Sequence, residues 1–156
     1  MLNKIIAKKV LDSCLTTGGD FAEIFFETTT KNSILMMDGH VEEVSTKLIH
    51  GAGIRILKNK QQVYGYTNVV SEKGLLDLAK RLKKTYNSES LHITFTLKDL
   101  EVTNNNPLDR LSKDIPNSEK IVLVKTVSDT ILNYDKRIIQ AVASLSENTK
   151  EVYIAN

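Results

Sequence analysis

The side chains here that could hold a metal or attack a substrate are three histidines, His40, His50 and His92, and a single cysteine, Cys14. Metal-assisted hydrolysis needs ligands at fixed spacing, as in His-Glu-x-x-His, where two imidazoles on one helix face hold zinc and the glutamate activates water. The histidines lack that spacing: His40 precedes Val41, His50 precedes Gly51 and His92 precedes Ile93, all in expected strands or turns. They read as solvated or hydrogen-bonded structural residues. Cys14 lies on the apolar stripe of an expected helix, where a small buried thiol is the ordinary reading. A lone cysteine makes no internal disulfide and no multi-thiolate zinc site, which points to a reducing compartment and a cytoplasmic protein. The pairs Glu42-Glu43 and Glu23 with Glu27 could supply acid–base carboxylates, yet exposed strand faces carry such residues routinely. Gly51-Ala52-Gly53 lies between expected strands, without the strand–glycine–helix context that cradles phosphate on backbone N–H groups. It reads as a bend or a close backbone approach. No catalytic, cofactor-binding or metal-binding residue is assigned.

Elements that position these residues can be read from periodicity. Leu2, Ile6, Val10 and Cys14 recur at helical spacing, Leu11 and Leu15 widen the stripe, and Lys4, Lys8 and Asp12 face away. Gly18-Gly19 ends that helix, since glycine accepts the left-handed backbone of a helix terminus. The period then becomes two, with Ala22, Ile24 and Phe26 on one face of a strand over residues 21–30. Segments 32–37 and 41–49 flank Asp38-Gly39, a strong hairpin signal. Segments 52–57 and 62–67 flank a second turn at Lys58-Asn59-Lys60. Five extended segments in a row suggest an antiparallel meander.

Ser71 is suited to N-cap a helix buried through Leu75, Leu78, Ala79 and Leu82, with Lys80, Arg81, Lys83 and Lys84 in water near its C-terminus. Residues 87–116 are the least regular, an exposed connection with a short strand expected at 92–97 and a breaker at Asn104-Asn105-Asn106-Pro107. Asn117 or Ser118 opens a third helix, with Ile121, Val124, Val127 or Ser128, Ile131 and Tyr134 in line. Strands at 138–145 and 151–155, separated by a polar turn at 146–150, close the chain. The expected fold class is α+β, an antiparallel sheet of hairpins with roughly five to seven strands and three helices. The first and third helices are expected to cover Ile24, Phe26, Ile54 and Ile56.

At 156 residues, 41% hydrophobic and 26% charged, the chain suits one globular domain. Lys+Arg 21 against Asp+Glu 19 leaves a net charge of +2, too weak an imbalance to suggest nucleic acid or an anionic membrane. The N-terminus mixes lysines into its apolar positions, unlike an export signal. No stretch approaches the ~20 consecutive apolar residues of a membrane span.

Four motifs occur in order: Gly19-Asp20-Phe21-Ala22-Glu23-Ile24-Phe25-Phe26-Glu27, Asp38-Gly39-His40-Val41-Glu42, Gly51-Ala52-Gly53-Ile54-Arg55-Ile56 and Tyr64-Gly65-Tyr66-Thr67-Asn68. In order and spacing they resemble the N-terminal domain of the TldD/PmbA family, zinc metallopeptidase subunits also described as modulators of DNA gyrase. The closing Val152-Tyr153-Ile154-Ala155-Asn156 is similar to a family strand that continues into a Ser-acidic-Gly turn, so the chain looks cut. The resemblance implies that residues 1–156 are a single N-terminal domain, and that zinc sits on a His-Glu-x-x-x-His helix of a C-terminal domain absent from this chain. It brings no catalytic residue with it and expects no cofactor here. It further implies a related TldD/PmbA-type subunit as partner, together enclosing a chamber for unfolded peptides, with no direct nucleic-acid contact. The third and fourth motifs look more like the catalytic TldD branch than the PmbA (TldE) branch. The alternatives are an assembly domain of the inactive PmbA-like subunit and a free-standing interaction module.

Overall fold

The computed structural model describes residues 3–86, 94–100, 103, 105–107 and 109–156. Its elements run α1 (Lys4–Leu15), β1 (Phe21–Met37), β2 (His40–Lys58), β3 (Gln61–Thr67), α2 (Glu72–Lys83), α3 (Asn117–Tyr134) and β4 (Val142–Ala155), with a 3₁₀ turn at Ser112–Asp114 before α3. The strands form a four-stranded antiparallel sheet in the order β3-β2-β1-β4. The α+β class expected from the sequence is the one found.

Among the described residues the strands are fewer and longer than expected. Segments 21–30 and 32–37 are one strand, as are 41–49 and 52–57, and the expected 146–150 turn is extended backbone within β4. Polar residues there mark where a strand is uncovered, and chain reversal asks for something else, a backbone with positive φ. Among non-glycine described residues that conformation occurs at Asp38 (φ 51°) and Asn59 (φ 54°), the two hairpin tips. Residues 138–141 precede β4, where Ile138 N–H donates to Asp135 O at 2.9 Å in a turn.

Two compact units make up the chain. The first comprises Met1–Thr28, Ile49–Val102 and Glu151–Asn156. In it, Ala22, Ile24 and Phe26 of β1 and Ala52, Ile54 and Ile56 of β2 are buried with Val10, Leu11 and Cys14 of α1 and Leu75, Leu78, Ala79 and Leu82 of α2. The sheet residues expected to lie under the first and third helices are thus covered by the first and second. Side-chain oxygens cap both helices: Asn3 Oδ1 accepts from Ile6 N–H at 2.9 Å and Ser71 Oγ from Gly74 N–H at 3.1 Å. Leu2 of the expected stripe lies outside the described residues. The β2–β3 register sets Ile54 opposite Gly65 and Arg55 opposite Tyr64. Gly65 admits α2, because a Cβ there would come within 2.9 Å of Leu82 and 3.0 Å of Leu78. The buried Tyr86 hydroxyl donates towards Ile56 O (3.3 Å) and Gln61 O (3.2 Å), tying the chain after α2 to the hairpin. Residues 94–97 are irregular rather than a strand, and Phe95 and Leu97 pack on the core, so this stretch of the expected exposed connection is anchored. Residues 92–93 of that expected strand lie outside the described residues.

The second unit comprises Thr29–Leu48 and Thr103–Lys150. Its small core joins Ile34 and Met36 of β1, Val124 of α3 and Ala143 of β4, with Ile121 and Leu145 half-buried beside them. On α3 the buried line is Lys120, Val124 and Ser128, whereas Val127 and Tyr134, expected in the stripe, are 47% and 85% exposed. The line follows strict four-residue steps, so Ser128 takes the place left open between it and Val127. The Asp38-Gly39 turn is held there. Asp38 N–H donates to Ala141 O (2.9 Å), Ala141 N–H donates to Asp38 Oδ1 (2.8 Å), and Gly39 N–H donates to Ser128 Oγ (3.0 Å).

Two substitutions test these placements. A Cβ at Gly74 would lie 2.3 Å from Val69 O, so Gly74→Ala should cost about 1–3 kcal/mol in urea unfolding, where an open helical site would gain roughly 1 kcal/mol. Ser128→Ala should cost about 1–2 kcal/mol by leaving the Gly39 N–H without its acceptor, and a neutral result would mean water replaces the hydroxyl.

Candidate functional site

In the first unit, alternation sends Ala52, Ile54 and Ile56 under the helices and therefore Gly53 and Arg55 to the other side of the sheet. The paired positions on β3 are Tyr66 and Tyr64, 79% and 57% exposed. Gly53 has a definite role there: a Cβ would fall 2.5 Å from Tyr64 Oη, because the Tyr64 ring lies across the glycine. This is the close approach expected of Gly51-Ala52-Gly53. Arg55 reaches Glu23 Oε1 at 3.2 Å and stands over the Phe21 ring at 5.8 Å, with its Nε buried and without a hydrogen-bond partner. On β4, Tyr153 meets Phe26 (ring centroids 6.1 Å apart) and Ala155 joins the core, so Val152 and Ile154 face the other way, 40% and 60% exposed. Among the described residues no helix of this unit covers that face. It offers aromatic and aliphatic contact area around a partly engaged guanidinium, a surface suited to an extended chain or another sheet. Its two acids separate, for Glu23 pairs with Arg55 while Glu27 has its own interactions.

The second unit holds a polar cluster that the sequence reading missed. Lys120 on α3 and Glu147 on β4 form an ion pair at 2.7 Å, their side chains 7% and 15% exposed. Glu147 also accepts from Ser112 Oγ (2.6 Å) and Asn32 Nδ2 (3.1 Å), and Asn32 accepts from Thr46 Oγ1 (3.0 Å). Burial would push the Glu147 carboxyl up, but hydrogen bonds from Lys120, Ser112 and Asn32, with the lysine charge, hold it below the usual carboxylate range. The available signal was Lys120 itself, four residues before Val124 in an otherwise apolar or small line. A buried pair with all its partners present is a structural device before it is a reactive one.

The residues first considered for chemistry do not converge. His40 is exposed at the start of β2 in the second unit; His50 belongs to the first, its Nδ1 3.1 Å from Thr28 Oγ1 and its ring edge-on to Phe26 at 5.2 Å. His92 lies outside the described residues. Glu42 and Glu43 are exposed on β2. Cys14 is fully buried, and that burial pushes its thiol up to about 12, with the Lys83 charge acting the opposite way. Among the described residues no three His, Cys, Asp or Glu side chains are grouped to hold a metal, so these residues do not fit a zinc site and no zinc chemistry is assigned to them.

Residues 22–85 match the family model described as PmbA/TldA metallopeptidase domain 1. A Haemophilus influenzae protein named as a metalloprotease TldD homologue is 25% identical over 142 residues, covering 86% of this chain and 28% of that protein. A metalloprotease of Methanocaldococcus jannaschii is 27% identical over 100 residues, covering 64% of this chain and 20% of its own length. The chain therefore spans less than a third of these curated relatives. Among solved structures, a Bacteroides thetaiotaomicron protein described with reservation as a modulator of DNA gyrase superposes with a TM-score of 0.72 at 19% identity, over 98% of this chain and 36% of that one. TldE of Thermococcus kodakarensis gives 0.60 at 13% identity, over 96% and 35%. These two likenesses show a shared fold. The fold class is an α+β domain of the kind found in gyrase-modulator and TldE structures. Over residues 22–85 the chain is similar to the first domain of the TldD/PmbA metallopeptidase-related family. No helix among the described residues is long and apolar enough to cross a membrane.

Because the folded Glu147 carboxyl lies below its unfolded value, its stabilisation is complete above the ordinary glutamate range and is lost as pH falls through the folded value. Glu147→Gln should cost about 3 kcal/mol at neutral pH by leaving the Lys120 ammonium buried without its counter-charge. It should also flatten the acid limb of the stability curve. Urea midpoints for both proteins from neutral to acid pH are the measurement, and parallel curves would remove Glu147 as the titrating group.

Proposed function

We propose that this chain is the N-terminal scaffold and substrate-chamber domain of a longer TldD-like, zinc-dependent peptidase that acts on unfolded peptides, and is itself non-catalytic. The match of residues 22–85 to the family's first domain carries the reading. The helix-free face of the first unit supports the chamber role, since Tyr64, Tyr66, Val152 and Ile154 offer contact to an extended peptide or a second subunit. A related TldD/PmbA-type subunit is the expected partner, with zinc bound by a His-Glu-x-x-x-His helix in the remaining sequence. The TldD branch is favoured by Gly51-Ala52-Gly53-Ile54-Arg55 and Tyr64-Gly65-Tyr66-Thr67-Asn68, and by the TldD and metalloprotease names of the curated relatives. The buried single thiol fits a reducing, cytoplasmic setting.

A second reading makes the chain the assembly domain of a TldE-like inactive subunit, and the likeness to the Thermococcus TldE fold is the observation that favours it. The two differ in the zinc helix. The uninterrupted gene product, co-expressed with its related subunit, should retain zinc through dialysis and degrade an unfolded peptide. A long product that holds no zinc in that complex selects the TldE-like reading. Zinc near one equivalent on the 156-residue chain alone, lost on changing His40 and His50, would overturn both.

A further inference from the structure

Among the described residues the second unit also has a sheet face without a helix, and its side chains are of a different kind. On it Ser33 and Ser45 (2.8 Å) meet across β1 and β2, whereas Asn32, which pairs with Thr46, Glu147 of β4 and Asn117 of α3, lies on the opposite, α3 side of the sheet. One row beyond Ser33 and Ser45 on the same face, Lys31 stands opposite Lys47. By the same alternation, the β4 residues on this face are Ser146 and Asn148. The result is a grid of two rows crossing three strands, Lys47–Lys31–Asn148 above Ser45–Ser33–Ser146, and these six side chains line a shallow depression of about 350 Å³.

Like charges set directly opposite on an antiparallel pair destabilise it. Neither Lys31 nor Lys47 has an ion-pair partner among the described residues, and both are exposed. The carboxylate at the rim, Glu147, is engaged by Lys120, so it does not neutralise them. Lys150, one row further on this face, has interactions of its own, and Glu43, two residues before Ser45, is the nearest acid on the face of β2. Two lysines against Glu43 leave one net positive charge over a bed of hydroxyl and amide donors. That matches a monoanion with two acceptor oxygens. The backbone N–H groups of β1, the central strand between β2 and β4, belong to the sheet ladder, and the grid has neither an arginine fork nor a helix N-terminus, the usual holders of phosphate.

We propose that this grid is a carboxylate-binding site: Lys31 and Lys47 bridge the anion from adjacent strands, while the free hydroxyl hydrogen of the Ser33–Ser45 pair, Ser146 and Asn148 donate to its oxygens. Its source is a free C-terminal carboxylate or an acidic side chain of a peptide, which share this chemistry. The inference rests on the geometry of three strands and stands apart from the peptidase reading.

The test is an amide chemical-shift titration of the 156-residue chain with sodium acetate, against sodium chloride at equal ionic strength. Saturable shifts confined to 31–33, 45–47 and 146–148 are expected with acetate, weakened at least tenfold in Lys31→Gln/Lys47→Gln. The double variant should melt no lower than the parent in chloride, because the opposed charges are gone, and should lose the acetate-dependent rise in melting temperature. Three short peptides identify the source: one with a free C-terminus, the same peptide amidated, and an amidated peptide containing glutamate. Binding of either acid-bearing peptide in preference to the neutral amide supports the site. Equal binding of the neutral amide, shifts as large in chloride, shifts unchanged in the double variant, or saturation by inorganic phosphate at tenfold lower concentration would each overturn the proposal.

Discussion

Strict alternation of side chains along a strand is the constraint on which the rest of this structure depends. β1 runs 17 residues and β2 runs 19, and neither contains a turn. Within the first unit, alternation commits Ala22, Ile24 and Phe26 to the helices and Glu23 to the other side, where it meets Arg55. Within the second, it commits Ile34 and Met36 to α3 and sends Lys31, Ser33 and Leu35 away from it. A shift of one residue in pairing would exchange these sets wholesale, burying lysine and exposing isoleucine, so burial fixes the register more firmly than any single hydrogen bond.

Much of this was legible from residue types with a local conformational demand. Asp38-Gly39 and Asn59 are turns because they tolerate positive φ, and Ser71 begins a helix because its oxygen can accept from Gly74 N–H. The length of β1, β2 and β4 was not legible, since Lys31, His50-Gly51 and the Ser146 to Lys150 stretch look like breaks when polarity is taken to mean reversal. Polarity there reports missing cover, which only the placement of helices decides. The partner of α1 was hidden for the same reason. An amphipathic stripe says that a helix is covered, and Leu75, Leu78, Ala79 and Leu82 could have packed on several elements before α1 proved to be among them.

The family-like motifs gain a physical meaning from their positions. Gly53 makes room for the Tyr64 ring, Gly65 makes room for α2, and Arg55 is held by Glu23 and Phe21. Most of what makes the motif recognisable is thus spent on closing a hairpin against a helix, leaving Tyr66 and part of Arg55 facing outward. A pattern spent on packing a hairpin says little about chemistry. The Lys120–Glu147 cluster lies outside the four motifs and could be found in sequence only as a misplaced charge on α3.

Cys14 is the only thiol in the chain, it is fully buried in the core of the first unit, and its proton is held up to about 12. At neutral pH it is therefore both shielded and protonated, two independent barriers to alkylation. A maleimide or disulfide reagent can react only when α1 lifts from the sheet or the first unit opens entirely, so the labelling rate becomes a clock for that opening. The native chain carries its own reporter of local breathing, needing neither an introduced probe nor removal of a competing cysteine.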